Sequence, residues 1–249
     1  MKTAPSPYDF LERPASLARG NVTADVTNAL RDAIVSLALR PGEMLDKNAI
    51  CDQLGVSRFP VSEALARLQG EGLIEILPQR GSIVSLVRIA DVREYMLIRK
   101  ALESEAVRAL VGRHDDSLIA DLRENLAGQR DAVERDDRSG FHARDLEFHD
   151  MLFDAMRFAK VRAIIDSVRA NLDRARRLII TPRRLALSLD EHRAVFDAIV
   201  AGQTERAIAA MRGHIDSVMA ELLVFARQRP DIFADGNDMD AEEDTFPFG

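Results

Sequence analysis

One stretch constrains this chain more than any other: LGVSRFPVSEALARLQGEGLIEILPQRGSIVS, Leu54 to Ser85. Gly55 marks a turn, Ser57 is a capping residue, and Pro60 falls in a first helical turn, where its missing N–H costs nothing. Val61, Leu65 and Leu68 give that helix one apolar side, and Gly72 closes it. Leu73 to Leu77 and Ile83 to Val87 then read as brief strands around Pro78-Gln79-Arg80-Gly81, a hairpin tip.

Two helices precede this unit. Thr23 can cap the first, whose apolar positions Val26, Leu30, Ile34 and Leu37 recur at helical spacing until Arg40-Pro41-Gly42 stops it. Asp46 can cap the second, which ends at Gly55. Three helices followed by a hairpin are the parts of a winged helix-turn-helix, spanning residues 22–88, which lays its third helix in the major groove of DNA.

From Ile89 onward nothing reads as a strand. Amphipathic segments Ile89–Arg113, Asp116–Arg135, Ser139–Met156, Lys160–Ile180, Arg183–Ala201 and Thr204–Arg229 are separated by short polar or turn-rich breaks. The expectation is therefore a mainly α chain: the winged unit, then an all-α bundle of about six helices over 89–229. Residues 1–21 read as a flexible arm, and 230–249 as an acidic, disordered tail.

The formal charge of −7 looks wrong for a DNA binder until it is mapped. Seven acidic side chains between Asp231 and Asp244, with no Lys or Arg among them, account for the whole imbalance of 41 acids over 34 bases. The folded part is neutral, so a local basic surface is allowed. A lone Cys51 makes no internal disulfide, no run is apolar enough for a membrane span, and the N-terminus lacks a secretory pattern. A cytoplasmic protein is expected.

Base edges in the major groove are read by residues near the N-terminal end of the inserted helix. Ser57, Arg58, Phe59 and Ser62 occupy that end, away from the apolar side. Arg58 can take guanine in a bidentate way or clamp a phosphate. Arg67 farther along, with Arg80 and Gly81 at the wing tip, suits backbone or minor-groove contact.

The helical region carries a second pattern. Asp145 and His149 are four residues apart and share a face with Leu152 and Met156. His192 shares one with Val195, Phe196 and Ile199, and His214 with Ala207, Met211 and Val218. Buried imidazoles and a carboxylate need partners. A single such His is more often a hydrogen-bonded core residue than a ligand, and spacing across loops leaves convergence open. Converging, the four would suit zinc first, with nickel, manganese or iron as alternatives. His142, three residues before Asp145, is expected at the surface, with a place behind the ligands as the alternative.

Two resemblances sharpen these readings. Pro41-Gly42, Leu54-Gly55-Val56-Ser57-Arg58, Pro60-Val61, Glu63-Ala64-Leu65, Arg67-Leu68, Glu71-Gly72-Leu73 and Gly81 resemble the N-terminal domain of the GntR family of bacterial repressors, over about Val22 to Leu86. Arg58 and Arg67 match that family's DNA-contacting arginines, whereas Ser62 stands where an Arg is usual. The helical region resembles the FCD-type effector domain of the FadR subfamily. Asp145, His149, His192 and His214 match the ligands of its metal-binding branch in order and type. That resemblance implies a small organic acid bound beside the metal. Arg99, near Glu103, stands where the family commonly has an Arg; Asn171 and Arg174 are further candidates for effector contact.

The expected function is a sequence-specific regulator, a repressor in the first instance. It would bind a palindromic operator on double-stranded DNA as a homodimer, under control of a carboxylate effector. The alternatives are a regulator whose metal is purely structural, and a helical metalloenzyme. The enzyme reading lacks a catalytic residue: Glu147 points about 200° away from the Asp145 face, and no nucleophile motif is found.

Overall fold

The computed structural model describes residues 6–12 and 22–236, apart from the side chains of 167–169. These residues divide into two compact units. The first takes in residues up to Ile89, the segment Asp173–Arg177 and the chain from Arg229; the second takes in Ala90–Leu172 and Leu178–Gln228.

In the first unit α1 (Val22–Val35), α2 (Lys47–Leu54) and α3 (Arg58–Gly70) precede an antiparallel sheet of β1 (Met44–Leu45), β3 (Gly81–Val84) and β2 (Ile74–Leu77), in that spatial order. Asp46 caps α2 as expected, accepting from the N–H groups of Asn48 and Ala49. Gly55 ends it with φ of 68°, a left-handed conformation that a Cβ would strain. Val61, Leu65 and Leu68 of α3 are all but fully buried, each contributing about 1.5–3 kcal/mol by leaving water.

Several local expectations change. Thr23 lies inside α1 rather than capping it, with its hydroxyl donating to Glu63. Ser57 holds the N-cap position of α3 but makes no side-chain capping bond. The second wing strand ends at Val84, three residues early, because the chain beyond it is bonded elsewhere. Ser85 N–H still donates to Leu73 O in the register of the hairpin, but Val87 pairs with the backbone of Ile232 and Ala234. β1 pairs Met44 with Ile83 and Leu45 with Ser82, so the wing hairpin gains a third strand.

The chain termini are also less loose than expected. Within the arm, Tyr8 and Leu11 are buried; Tyr8 Oη accepts from Asp46 N–H at 2.8 Å, and Gln53 Nε2 donates to Leu11 O. Residues 1–5 and 13–21 lie outside the described residues. The start of the acidic tail is built too. Pro230–Ile232 forms a 3₁₀ turn, Phe233 is buried, and Asp235 Oδ1 accepts from Ile89 N–H at 2.8 Å. The rest of the tail, from 237, lies outside the described residues.

The second unit is a helical bundle built from α4 (Ile89–Leu110), α5 (Asp116–Glu134), α6 (Arg138–Met156), α7 (Ala159–Leu178), α8 (Pro182–Val200) and α9 (Thr204–Gln228), except that Ile89 and Asp173–Arg177 belong to the first unit. Asp115, Asp137 and Thr181 cap α5, α6 and α8 through their side chains. Pairs α8–α9 and α5–α6 pack as antiparallel neighbours joined by short connections. Their facing sides carry polar residues at the centre of an otherwise apolar core. No described helix is long and apolar enough to cross a membrane.

Candidate functional site

Three helices of the bundle bring the expected four residues together. Asp145 and His149 on α6, His192 on α8 and His214 on α9 are each 5% exposed or less. One ligand atom from each lies within 4.8 Å of all the others. His192 Nε2 is 3.4 Å from His214 Nε2 and 3.6 Å from Asp145 Oδ1. The His192 ring stacks on Phe148, with centroids 4.4 Å apart, which fixes its plane.

The surrounding residues fix the protons. Arg144 O, a backbone carbonyl, can only accept, so Asn125 directs its amide nitrogen there and to Glu147. Asn125 Oδ1 must then accept from Gln129 Nε2, which turns Gln129 Oε1 toward His192 Nδ1 at 2.8 Å. His192 thus carries its proton on Nδ1 and presents a lone pair at Nε2. His214 Nδ1 meets a carboxylate oxygen of Glu191 at 2.8 Å, and His149 Nδ1 meets one of Glu103 at 2.7 Å. The same logic bares Nε2 of His214, and the Glu103 carboxylate beside Nδ1 of His149 favours the same proton position there.

Three imidazole lone pairs and a carboxylate therefore converge in a buried space, an arrangement that repels itself unless a cation sits within it. His149 Nε2 is buried with no hydrogen-bond partner. The donor set, three neutral nitrogens and one anionic oxygen, fits a divalent ion of the zinc, nickel, manganese or iron type.

Electrostatics around the cluster agree. Burial alone would raise the Glu103 carboxyl, but Arg99 and His149 outweigh it and hold it well below the usual range. His149 is pushed down by burial and by Arg99. Burial raises Glu191, against the opposing effects of Ser217 and Arg184. Arg99 pairs with Glu103 through Nε, and its Nη1 is buried without a hydrogen-bond partner.

The other proposed effector contacts are engaged elsewhere. Asn171 hydrogen-bonds Tyr95. Arg174 belongs to the first unit, where it donates to Ser85 O and Leu86 O; its burial lowers its pKa to about 10. His142, expected at the surface, is buried. Sequence reasoning missed Gln129 and Glu191 as partners of the histidines, and Asn125 behind Gln129. The available signal was Asn125 and Gln129 four residues apart on the buried face of α5, between leucines.

In the first unit, the face of α3 opposite its core carries exposed Arg58 and Phe59, with Ser62 half-buried and Arg67 in an ion pair with Glu63 at 2.7 Å. Ser62 donates its hydroxyl to Arg58 O. Arg80 and Gly81 are exposed at the wing tip, where Gln79 (φ of 60°) and Gly81 (φ of 105°) turn the chain.

Comparison with known proteins matches residues 22–84 to the bacterial regulatory proteins of the gntR family and residues 94–217 to the FCD domain. An HTH-type transcriptional regulator in an unstable DNA locus of Streptomyces ambofaciens is 33% identical over 84% of this chain and 89% of its own length. The HTH-type transcriptional repressor RspR of Escherichia coli is 29% identical over 86% and 94%. Among solved structures, a transcriptional regulator GntR from Rhodococcus sp. RHA1 superimposes with a TM-score of 0.71 at 26% identity, covering 82% of this chain and 98% of that one.

Proposed function

Since the chain belongs to the GntR family of bacterial regulatory proteins, as a DNA-binding transcriptional regulator with an FCD domain, we propose that a divalent metal and a small carboxylate in that domain control its grip on DNA. One observation carries the reading. Gln129 and Glu191 hold Nδ1 of His192 and His214, Glu103 lies 2.7 Å from Nδ1 of His149, and one ligand atom from each histidine clusters with Asp145 within 4.8 Å. Asp145, His149, His192 and His214 would hold the ion, which when bound supplies a Lewis-acidic anchor for an anion. Arg99, with a buried N–H unmatched, is the side chain that would pair with the carboxylate.

Ser57, Arg58, Phe59, Ser62 and Arg67 of the third helix, with Arg80 and Gly81 of the wing, would contact the operator. A homodimer would read a palindrome, one half-site per head. RspR and the gluconate operon repressor of Bacillus subtilis are repressors, which supports repression here. The family and its relatives are regulators, so the chain is not an enzyme.

The test has two arms. The metal is measured by elemental analysis of the purified protein before and after chelation. A panel of small carboxylates is then scored by thermal shift with and without metal, because a ligand bound only by the folded state raises the melting temperature. A metal-dependent shift together with altered DNA affinity supports control by an effector. Metal without any carboxylate response favours a structural ion.

A further inference from the structure

Phe59 is the most exposed large apolar side chain among the described residues, at 74%. It is the second residue of α3, a helix whose other large apolar residues are buried. Single exposed apolar residues are ordinary on a protein surface. This one differs in its position and in what surrounds it. Its neighbours on the same face are Ser62, whose hydroxyl is spent on Arg58 O, Glu63, which is bridged to Arg67, and small Ala66. The ring therefore stands clear of its own helix, at the end that approaches bases, beside the exposed Arg58.

In the major groove only thymine offers an apolar group, its C5 methyl, and an aromatic side chain is one of the groups that meets it. Aromatic wedging between base steps is a habit of minor-groove binders, and α3 is not placed for that groove. Resting on the reading of α3 as the groove helix, we infer that Phe59 selects a thymine in each half-site by covering its methyl group. Arg58 supplies the polar contact beside it, and Ser62 adds no charge that would compete for the same base step.

The experiment uses the full chain and a duplex enriched from a random-sequence library. Each thymine of that duplex is replaced in turn by deoxyuridine, which removes the methyl and keeps the pairing. Binding is followed by fluorescence anisotropy for the native chain, Phe59→Ala and Phe59→Leu. One thymine per half-site should lose about fourfold in affinity on replacement, the worth of one buried methyl. Phe59→Ala should bind the two duplexes equally, and Phe59→Leu should keep part of the difference. The melting temperature should stay unchanged in both variants, since the ring is exposed.

Indifference to every replacement, or a preference that survives in Phe59→Ala, overturns the inference while leaving DNA reading intact. A chain that enriches no duplex at all overturns both.

Discussion

Gln129 Oε1 stands 2.8 Å from His192 Nδ1, and this contact decides which nitrogen of a fully buried imidazole bears its proton. The decision originates at the carbonyl of Arg144 and passes through two amides before reaching the ring. An amide pair four residues apart on a buried helical face would otherwise be a costly choice beside leucine. In the proposed metal site it would present Nε2 as a donor to a cation.

Gln129→Ala should therefore weaken metal binding by about 10–100-fold without unfolding the bundle. Competition with a chromogenic chelator measures the loss, and circular dichroism checks the fold. Gln129→Glu, which still accepts from Nδ1, should retain most of the affinity. Equal losses in the two variants would refute the tautomer argument.

His192→Ala and His214→Ala should each abolish stoichiometric metal while the protein still binds DNA. Elemental analysis after gel filtration gives the answer. Full occupancy in His214→Ala would show that the ligand set is wrong. Removing metal from the native chain should lower its melting temperature, since an ion at a thousand times its Kd contributes about 4 kcal/mol.

Arg58→Ala should weaken DNA binding about tenfold or more and leave metal content unchanged. Arg67→Ala, if it removes a phosphate contact, should reduce the salt dependence by about one unit of slope. Anisotropy titrations at several salt concentrations separate the two roles.

Cys51 offers a built-in reporter. Its thiol is buried at 7% exposure and lies 3.7 Å from Ser57 O, and burial pushes its pKa up, which lowers the thiolate fraction at neutral pH. Ellman's reagent should react negligibly with the native protein and with one equivalent in denaturant. Labelling through a urea titration then follows the opening of the head unit, because α2 and α3 enclose the thiol. Fast labelling of the native protein would contradict this burial.

Much of this was legible in advance. The bundle helices α4 to α9 fall within three residues of the segments drawn from hydrophobic periodicity, because each has an apolar stripe and a clear stop. Asp145 and His149 could be paired from their spacing on one helix, whereas the addition of His192 and His214 needed a family pattern. Gln129 was not legible as a partner of His192: they are 63 residues apart on different helices, and no local spacing connects them. β1, two residues long, has too few positions to alternate. The packing of Tyr8 was hidden because its partner, the backbone N–H of Asp46, leaves no trace in the side-chain pattern.

The end of the chain was read as solvent-borne on composition, yet Phe233 is 3% exposed, and Asp235 supplies the acceptor that the first N–H of α4 needs. Phe233→Ala should cost about 3–5 kcal/mol and Asp235→Ala about 0.5–2 kcal/mol, to be measured by urea denaturation. A cost within error for both would mean that the segment lies loosely against Val87.

The unit that contains the wing takes side chains from 173–177 and from beyond Arg229, so during synthesis it cannot close when its own first 89 residues emerge. The segment Ser85 to Ile89 gains the Arg174 bonds once α7 has been made, and its partners at Val87 and Ile89 only after the last helix has been made. A nascent head would thus pass a waiting period with its carbonyls at Ser85 and Leu86 still hydrated, and a gene cut after residue 89 would produce a body that never leaves that stage.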